Sequence, residues 1–536
     1  MDVGSRPGDA PSPVGAGQPT GTPTSEVATT SRPTVNVALS LLGFLVALLV
    51  AWAIANPFGG FPDELDHYVR SVSISQGQWV GQPGPLAPQP AVRSCCGPSA
   101  TASYWVTQGN RIVTIESALT PENLSCDEVL ATPRIRDCGS TAGGIIGAQR
   151  ITTMGTIEPA GYLAPALAIA IGASSPDWAF RLARLGGVLV AALVLGLTLM
   201  AVARSQNSLL RFAGISLAIT PMAAFVMSSG SPNATEVAGA IGVWCTALIV
   251  TAPGERPSRW AWAGMAGSIA LLVLSRSLGP VWILSIAAVV LVLRGRQGLV
   301  RTVRGRRRQW LVIVAVAVSA AMVTIGWEQL VQPKVDLDVG FGLSQLPEAI
   351  SDIPGIAQET IGNFGPLQIP LPIAMTAAWA ALLIGAVIAA WVVGTWRERL
   401  ALIVTCGLIL AFTILIAAFV LRQNGFGLQG RHVLPMVVGV PILAAEVLVM
   451  RRPQMSRAAL PLAAAVVVLQ ILAWVVGVGS YRAGAGGLVP QRSVDILGVT
   501  AAWPVAMLAL LATGVWFVVA VATASRRAEL SPDTAP

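Results

Sequence analysis

Long apolar stretches alternate with short polar segments along most of the chain, from residue 37 to residue 522. A helix needs roughly 20 apolar residues to cross the hydrocarbon core of a bilayer, and about twelve stretches reach that length. The first stretch, Val37 to Ala55, is too long for a cleaved signal peptide, and its polar leader contains few basic residues. The pattern predicts an all-α polytopic membrane protein with about 12 transmembrane helices.

The polar segments divide the chain into a membrane domain and two tails. Residues 1–36 are rich in Pro, Gly, Ser and Thr, and we expect a disordered cytoplasmic tail because they cannot bury a core. We interpret residues 37–522 as the transmembrane domain and residues 523–536 as a second cytoplasmic tail. Within the domain, residues 57–160 and 329–370 are the two long segments between apolar stretches, and we expect both to be external loops.

One apolar stretch is too short to span a membrane comfortably. Gly161 to Ala173 precedes the turn sequence SSPDW, which predicts an interfacial helix before a spanning helix from Phe180 to Ala203.

Composition and charge support this interpretation and add an orientation. The chain is 54% hydrophobic and 11% charged, with a mean hydropathy of +0.69, which excludes a soluble globular protein. Arginines cluster in every second segment between apolar stretches, so the positive-inside rule predicts that both termini are cytoplasmic. We expect the protein to lie in the plasma membrane, with its site on the extracytoplasmic side. The net charge of +8 then reports mainly the orientation of the chain in the membrane. The basic segments could also bind anionic membrane lipids, and we do not expect a nucleic-acid partner.

Four of the six cysteines fall in the first predicted external loop: Cys95, Cys96, Cys126 and Cys138. Neighbouring cysteines rarely bridge each other, so we expect two disulfides that pair Cys95 and Cys96 with Cys126 and Cys138, in an order that the sequence leaves open. The alternative is a zinc site of the same thiols, although structural zinc favours CxxC pairs that are missing here.

The sequence FPDELDHYVR concentrates charge just after the first apolar stretch. A helix beginning near Asp63 would place Asp63, His67 and Arg70 on one face, with Glu64 one turn from His67. The alternative is purely structural: Asp63 caps the helix, Glu64 and Asp66 meet the positive end of its dipole, and Arg70 pairs with Asp66.

The second histidine, His432, lies in LRQNGFGLQGRHVLP, on the same predicted side of the membrane as His67. Arg431 beside it offers a planar cationic fork suited to phosphate, and the glycines allow a close backbone approach. The alternative is a basic loop anchored at the lipid headgroups. Arg276 in LSRSLGP ends a predicted helix on the same side, where it could contact a phosphate or extend to the headgroups.

Four short sequences, PDELDH, EPAGYLAPALAI, NFGPLQIPLP and GRHVLP, resemble the membrane family called domain of unknown function 2142. That family is similar to the GT-C clan of glycosyltransferases, and the resemblance covers most of residues 37–450. It implies a sugar donor linked to polyprenyl phosphate, and a catalytic acid in the first external loop. The matching acid here is Asp63, with Glu64 beside it. A carboxylate there would take the proton of an acceptor hydroxyl on an envelope glycan, lipid or protein.

The chain departs from the GT-C pattern in the next short external loop. Relatives often carry a second acid there in a sequence like NPDA, whereas this chain reads SPNAT, so Asn233 replaces the acid and Glu236 follows one turn later. A divalent metal ion could share the work of the site, with Asp63, Glu64, His67 and His432 as possible ligands. The residues expected to bind substrate are Asp66, His67, Arg70, Asn233, Glu236, Arg276, Arg431 and His432.

Two other functions fit a membrane protein with an external basic cleft. One is transport of a lipid-linked glycan, and the other is a non-catalytic role in envelope assembly. A transporter is expected to carry functional charges near the bilayer midplane, whereas the conspicuous charges here cluster at predicted helix ends. The sequence therefore favours a glycosyltransferase over a carrier.

Overall fold

The structure is a computed structural model that describes residues 32–56, 59–84, 110–119, 149–331, 343–365, 367–424, 428–482 and 499–530. Cys95, Cys96, Cys126 and Cys138 lie outside these ranges, and their predicted pairing stays a prediction.

Helices dominate the described residues. They are α1 (Arg32–Ala55), α2 (Glu64–Ser75), α3 (Leu163–Gly172), α4 (Pro176–Ala203), α5 (Ser208–Ala218), α6 (Pro221–Met227), α7 (Pro232–Thr251), α8 (Arg259–Ser275), α9 (Gly279–Gly305), α10 (Arg307–Val331), α11 (Leu346–Ser351), α12 (Ile353–Ile361), α13 (Ile373–Val393), α14 (Trp396–Asn424), α15 (Leu434–Val437), α16 (Gly439–Arg451), α17 (Ala459–Arg482) and α18 (Val499–Leu530). An antiparallel sheet contains β1 (Gln82–Pro83), β2 (Arg111–Thr114) and β3 (Gln149–Thr152), and a second pairs β4 (Asn363–Phe364) with β5 (Ile369–Pro370).

The prediction of an all-α polytopic membrane protein is confirmed. Over the described ranges, 10 helices are long and apolar enough to cross a membrane. The pair α5 and α6, bent by 77°, would bring the number to 11 if it forms one span. Because α8 has only 17 residues, the predicted count of twelve stays a prediction.

Two predicted boundaries can be compared with the helices. The first helix begins at Arg32 rather than Val37, with Pro33 in its first turn, where a missing backbone N–H is tolerated. The short apolar stretch before SSPDW forms the ten-residue α3. The next helix starts after Ser175, whose hydroxyl accepts a hydrogen bond from the Trp178 backbone N–H at 3.5 Å.

Polar contacts show that successive long helices run in opposite directions. The Thr34 hydroxyl at the start of α1 donates to the Ala203 carbonyl at the end of α4, at 2.9 Å. The hydroxyls of Thr235 at the start of α7 and Ser275 at the end of α8 lie 2.8 Å apart. This alternation places the turn before α2 and the starts of α7 and α9 at one end of the bundle, with the start of α1 at the other.

A network of buried ion pairs occupies the end of the bundle where α1 starts. Arg211 contacts Glu446 at 2.9 Å and Glu255 at 2.8 Å, and Arg294 contacts Glu446 at 2.7 Å. Arg211 and Arg294 lie within helices, and both pair with these acids. Pairing and hydrogen bonding are what allow charges to be buried among apolar helices.

Candidate active site

Asp63 occupies the last position before α2 in an unusual backbone conformation. Its φ of 54° and ψ of 21° lie in the left-handed region, which Asp and Asn tolerate better than most other non-glycine residues. Its side chain makes no capping hydrogen bond, so the structural alternative in which Asp63 caps the helix is not formed. The carboxylate instead pairs with Arg431, whose Nη2 donates to Asp63 Oδ2. The Asp63 side chain is 42% exposed and that of Arg431 only 3%.

Arg431 is held by a tightly packed turn. It lies in the 3-10 turn Gly430–Val433, and the Gly430 backbone N–H donates to Glu359 Oε2 at 2.7 Å. A Cβ at position 430 would come within 2.6 Å of both the Glu359 Cβ and the Ile356 carbonyl, so only glycine fits without a shift. Helix α12 therefore positions the arginine that meets Asp63.

The pairing keeps Asp63 ionised. Although part of the side chain is exposed, the carboxylate is surrounded by enough protein for desolvation to disfavour its charge. The charge and hydrogen bond of Arg431 outweigh this effect and lower the pKa of Asp63 well below its usual range. The carboxylate is charged at neutral pH.

His67 lies one turn after Asp63 and contacts Tyr162. Its Nδ1 lies 2.7 Å from the Tyr162 hydroxyl, and its buried Nε2 has no hydrogen-bond partner among the described residues. Burial lowers the pKa of His67 to about 3 and raises that of Tyr162 above its usual range. Both side chains are therefore neutral at pH 7.

Glu64 and Asp66 anchor α2 to the protein. Both Glu64 oxygens are held by Arg184, at 2.5 Å from Nε and 2.8 Å from Nη2. Asp66 Oδ1 accepts a hydrogen bond from the Thr153 backbone N–H at 3.0 Å. Burial raises the pKa of Asp66 to about 7. Neither carboxylate shares the surroundings of Asp63.

Arg70 contacts the segment before Pro159 and the ring of Tyr162. It is fully buried, and its Nη2 donates to the Ile157 carbonyl at 3.1 Å. The alternative pairing with Asp66 is therefore not formed. Of the predicted face, His67 and Arg70 both lie against Tyr162, whereas Asp63 pairs with Arg431.

Arg276 lies at the same end of the bundle and has no ion-pair partner among the described residues. It follows α8, is half-buried, and makes no ion pair or side-chain hydrogen bond to the described residues. Its charge acts on His67, Tyr162 and Glu158. The guanidinium therefore faces the interior polar cluster, which argues against a simple extension to the headgroups.

Asn233 and Glu236 lie in the first turns of α7. The buried Asn233 Oδ1 has no hydrogen-bond partner in the described part of the chain. Glu236 Oε1 accepts a hydrogen bond from Trp282 Nε1 at 2.9 Å. Glu236 lies near enough to Arg276 for the two charges to interact.

His432 follows Arg431 and completes the cluster around Asp63. It is half-buried, and its Nδ1 has no partner among the described residues. Within those residues, no group of three or more His, Cys, Asp or Glu side chains could hold a metal ion. The suggested ligands Asp63, Glu64, His67 and His432 are thus not gathered as a set.

Glu158 and Tyr162 were not among the predicted site residues, although both lie in the sequence EPAGYLAP. Glu158 is 2% exposed, and neither carboxylate oxygen has a hydrogen-bond partner in the described residues. Burial, with a smaller effect of Glu328, raises the pKa of Glu158 to about 7. The available signal was an acid directly before a proline that starts a short apolar helix.

Comparisons with known proteins give a family and a distant structural similarity. A family model described as a predicted membrane protein, DUF2142, matches residues 45–440 and confirms the resemblance seen in the four short sequences. No curated protein sequence matches the chain.

The chain is also similar to crystal structures of ArnT from Cupriavidus metallidurans. For ArnT bound to undecaprenyl phosphate, the identity is 16%, the TM-score is 0.43, and the match covers 92% of this chain and 77% of that one. For the apo structure of ArnT, the identity is 14% and the TM-score is 0.42, and the match covers 90% of this chain and 75% of that one. Similarity at this level assigns no substrate and no residue role to this chain.

Proposed function

The chain belongs to the DUF2142 family of predicted membrane proteins, and we propose that it transfers a sugar from a polyprenyl-phosphate donor to an acceptor hydroxyl of the cell envelope. The observation that carries the proposal is the ionised, part-exposed Asp63 carboxylate, which pairs with Arg431. The charge of Arg276, which has no ion-pair partner among the described residues, acts together with that of Arg431 on the neighbouring His432. A carboxylate and two arginines at one end of a helix bundle are the groups that such a transfer needs. The resemblance of the family to the GT-C clan, drawn from the sequence, supports the same reaction.

The donor phosphate would bind the two arginines. Arg431 is 97% buried and Arg276 half-buried, so a phosphate between them would meet cations that are weakly screened by water. Arg431 already binds one anion, the Asp63 carboxylate. A phosphate at Arg431 would therefore compete with Asp63, and donor binding would exchange one anion for the other.

This exchange would prepare Asp63 to act as a base. A carboxylate with a depressed pKa is a poor proton acceptor, and here the depression comes from Arg431. When the phosphate takes over Arg431, the pKa of Asp63 rises towards a more useful value. Donor binding and activation of the base are thereby coupled.

The transfer itself then follows from these positions. Asp63 takes the proton of the acceptor hydroxyl as its oxygen attacks the anomeric carbon of the sugar. The bond between that carbon and the phosphate oxygen breaks, and its electron pair leaves with the polyprenyl phosphate. Arg431 and Arg276 stabilise the developing negative charge.

The test is transfer by the purified protein, with labelled polyprenyl-phosphate sugars as donors and envelope extract as the source of acceptor. Wild type should form labelled product, and Asp63→Asn should not. Glu348→Gln, which alters an exposed carboxylate in α11, is the matched control and should remain active. Movement of the labelled donor across sealed vesicles without product would instead support a transporter, and the absence of both would support a non-catalytic role.

A further inference from the structure

A second group of polar side chains converges next to the Asp63 site. Its members come from four elements: Glu158 before the 3-10 turn Pro159–Tyr162, Asn233 in α7, Arg276 after α8, and Glu328 in α10. We call these four residues the polar chamber.

Close packing brings the four elements together. A Cβ at Gly161 would lie 2.8 Å from the Pro232 Cβ, so the turn after Glu158 packs directly on the start of α7. The hydroxyl contact between Thr235 and Ser275 joins the starting turn of α7 to the residue before Arg276. Trp327 Nε1 donates to the Thr156 carbonyl at 2.7 Å, which ties α10 to the segment before Glu158.

The chamber contains several buried atoms that have no hydrogen-bond partner among the described residues. They are both carboxylate oxygens of Glu158, Asn233 Oδ1, Glu328 Oε1 and Arg276 Nε. Glu158 and Asn233 are each only 2% exposed. A buried polar group left unpaired is destabilising, and a cluster of them indicates that something else supplies the partners.

The buried charges at the opposite end of the bundle are paired instead. There Arg211, Arg294, Glu255 and Glu446 pair with one another at 2.7 to 2.9 Å. The fold can satisfy buried charges where it needs only stability. The unpaired atoms of the chamber therefore suit a ligand better than a structural role.

The chemistry of the unpaired atoms defines the ligand. Four are acceptors and one is a donor, so the complement is a group rich in hydrogen-bond donors that also offers an acceptor. A free phosphate supplies few donors, and Glu158 and Glu328 would repel it. A sugar ring carries several hydroxyls, each of which both donates and accepts.

The chamber also adjoins the reacting groups. The Arg276 charge acts on Glu158 and also on His67 and Tyr162. A phosphate at Arg276 would thus lie near both the chamber and the side chains that neighbour Asp63. A sugar attached to that phosphate could enter the chamber.

We propose that Glu158, Asn233 and Glu328 form a sugar subsite, in which their unpaired oxygens accept hydrogen bonds from hydroxyls of the sugar to be transferred. Arg276 marks the boundary between this subsite and the phosphate site. The proposal rests on the proposed function, since it names the residues that recognise the donor sugar.

The experiment compares two ligands on the purified full chain: undecaprenyl phosphate alone, and a panel of hexoses and pentoses linked to undecaprenyl phosphate. Wild type should bind at least one sugar-linked lipid about 10-fold or more tightly than the bare lipid phosphate. Glu158→Gln replaces one acceptor oxygen with a donor, so it should reduce the ratio of the affinity for the sugar-linked lipid to the affinity for the bare lipid phosphate towards one. Binding of bare undecaprenyl phosphate should stay unchanged. Glu348→Gln is the matched control and should keep the wild-type ratio.

The outcomes separate the two proposals. Loss of bare undecaprenyl phosphate binding in a well-folded Glu158→Gln preparation would place Glu158 in the phosphate site and overturn the subsite. Equal affinities of wild type for all ligands, or an undiminished ratio in Glu158→Gln, would also overturn the subsite without touching the transfer reaction. Failure of wild type to bind any of these lipids would overturn the proposed function itself. Asn233→Asp keeps the acceptor oxygen, so it should retain more of the preference for the sugar-linked lipid than Asn233→Leu does.

Discussion

The Asp63 carboxylate accepts a hydrogen bond from the Arg431 guanidinium, which lies 368 positions later in the chain. The pair joins the turn before α2 to the turn that precedes α15 and α16. One partner is almost completely buried and the other is 42% exposed, so a ligand can reach the carboxylate while the arginine stays fixed.

Asp63→Asn should fold normally and lose transfer. Asn tolerates the left-handed backbone at this position, and no capping bond is lost because Asp63 makes none. The amide cannot take a proton, so we expect transfer to fall by roughly 10²-fold or more. Product formation and the melting temperature in detergent are the two measurements. Near-normal transfer in a well-folded preparation would remove Asp63 as the base.

Glu64→Gln should lower the stability of the protein, whereas Asp63→Asn should leave the stability unchanged. Glu64 and Arg184 form a bidentate pair in which each side chain is at most 6% exposed. Removing one charge leaves the other buried and unpaired, which is expected to lower the free energy of unfolding by about 3 to 5 kcal/mol. Thermal unfolding in detergent should show the drop.

The matched control for Glu64→Gln replaces both partners, as in Glu64→Leu with Arg184→Met. Because no unpaired charge remains, this double variant should unfold at a higher temperature than Glu64→Gln. A Glu64→Gln protein as stable as wild type would show that the pair does not anchor α2.

The sequence was sufficient to predict that the chain forms membrane helices and that the residues of the site lie on one side of the membrane. Hydrophobic stretches report the length of an element directly, so α1, α3 and α4 were expected with small errors at their ends. Asp63 and Arg431 were expected on the same side of the membrane, since helix alternation decides the side. Their contact was not predictable, because it depends on how α12 packs against Gly430.

The roles of individual acids were harder to predict for the same reason. In the sequence Glu64 is simply a second carboxylate next to Asp63, and only the tertiary positions of Arg184 and Arg431 show which of the two is buried and which is part-exposed. Glu158 has no charged neighbour in sequence. Its significance comes from Arg276 and Glu328, which belong to helices far along the chain and reach it only through tertiary packing.

Stability should depend on pH through Glu158. Its pKa is raised to about 7 in the fold, against an ordinary value of 4.5, so the folded state keeps a proton that the unfolded state releases. This contribution to stability is fully present below about pH 4.5 and is lost as the pH rises through about 7, with a limiting size of about 3 kcal/mol. Because Glu158→Gln cannot titrate, the melting temperature of wild type relative to this variant should fall between pH 5 and pH 8.5. A constant difference across that range would contradict the raised pKa, and Glu348→Gln should show no such trend.

The predicted orientation can be tested by labelling single cysteines from outside the cell. In a background without the native cysteines, Glu348→Cys in α11 should react with an impermeant reagent, whereas Arg304→Cys near the end of α9 should not. Both positions are exposed in the structure, so a difference in reactivity would report the side of the membrane rather than burial. The reverse pattern would place the Asp63 site in the cytoplasm.

The anion exchange at Arg431 gives the sharpest test of the proposed mechanism, because it predicts a gain in affinity from a variant that abolishes activity. If the donor phosphate must displace Asp63 from Arg431, Asp63→Asn removes the competing charge and should bind undecaprenyl phosphate more tightly than wild type, by up to about 10-fold. Arg431→Gln should bind it more weakly, by about 10-fold or more, since a buried charge-assisted contact is lost. In the double variant the gain from Asp63→Asn should disappear, because the carboxylate then has no arginine to occupy, while Arg304→Gln should leave the affinity unchanged. If Asp63→Asn instead weakens binding of the bare lipid phosphate, Asp63 and the phosphate do not compete for Arg431, and the coupling of donor binding to activation of the base is wrong.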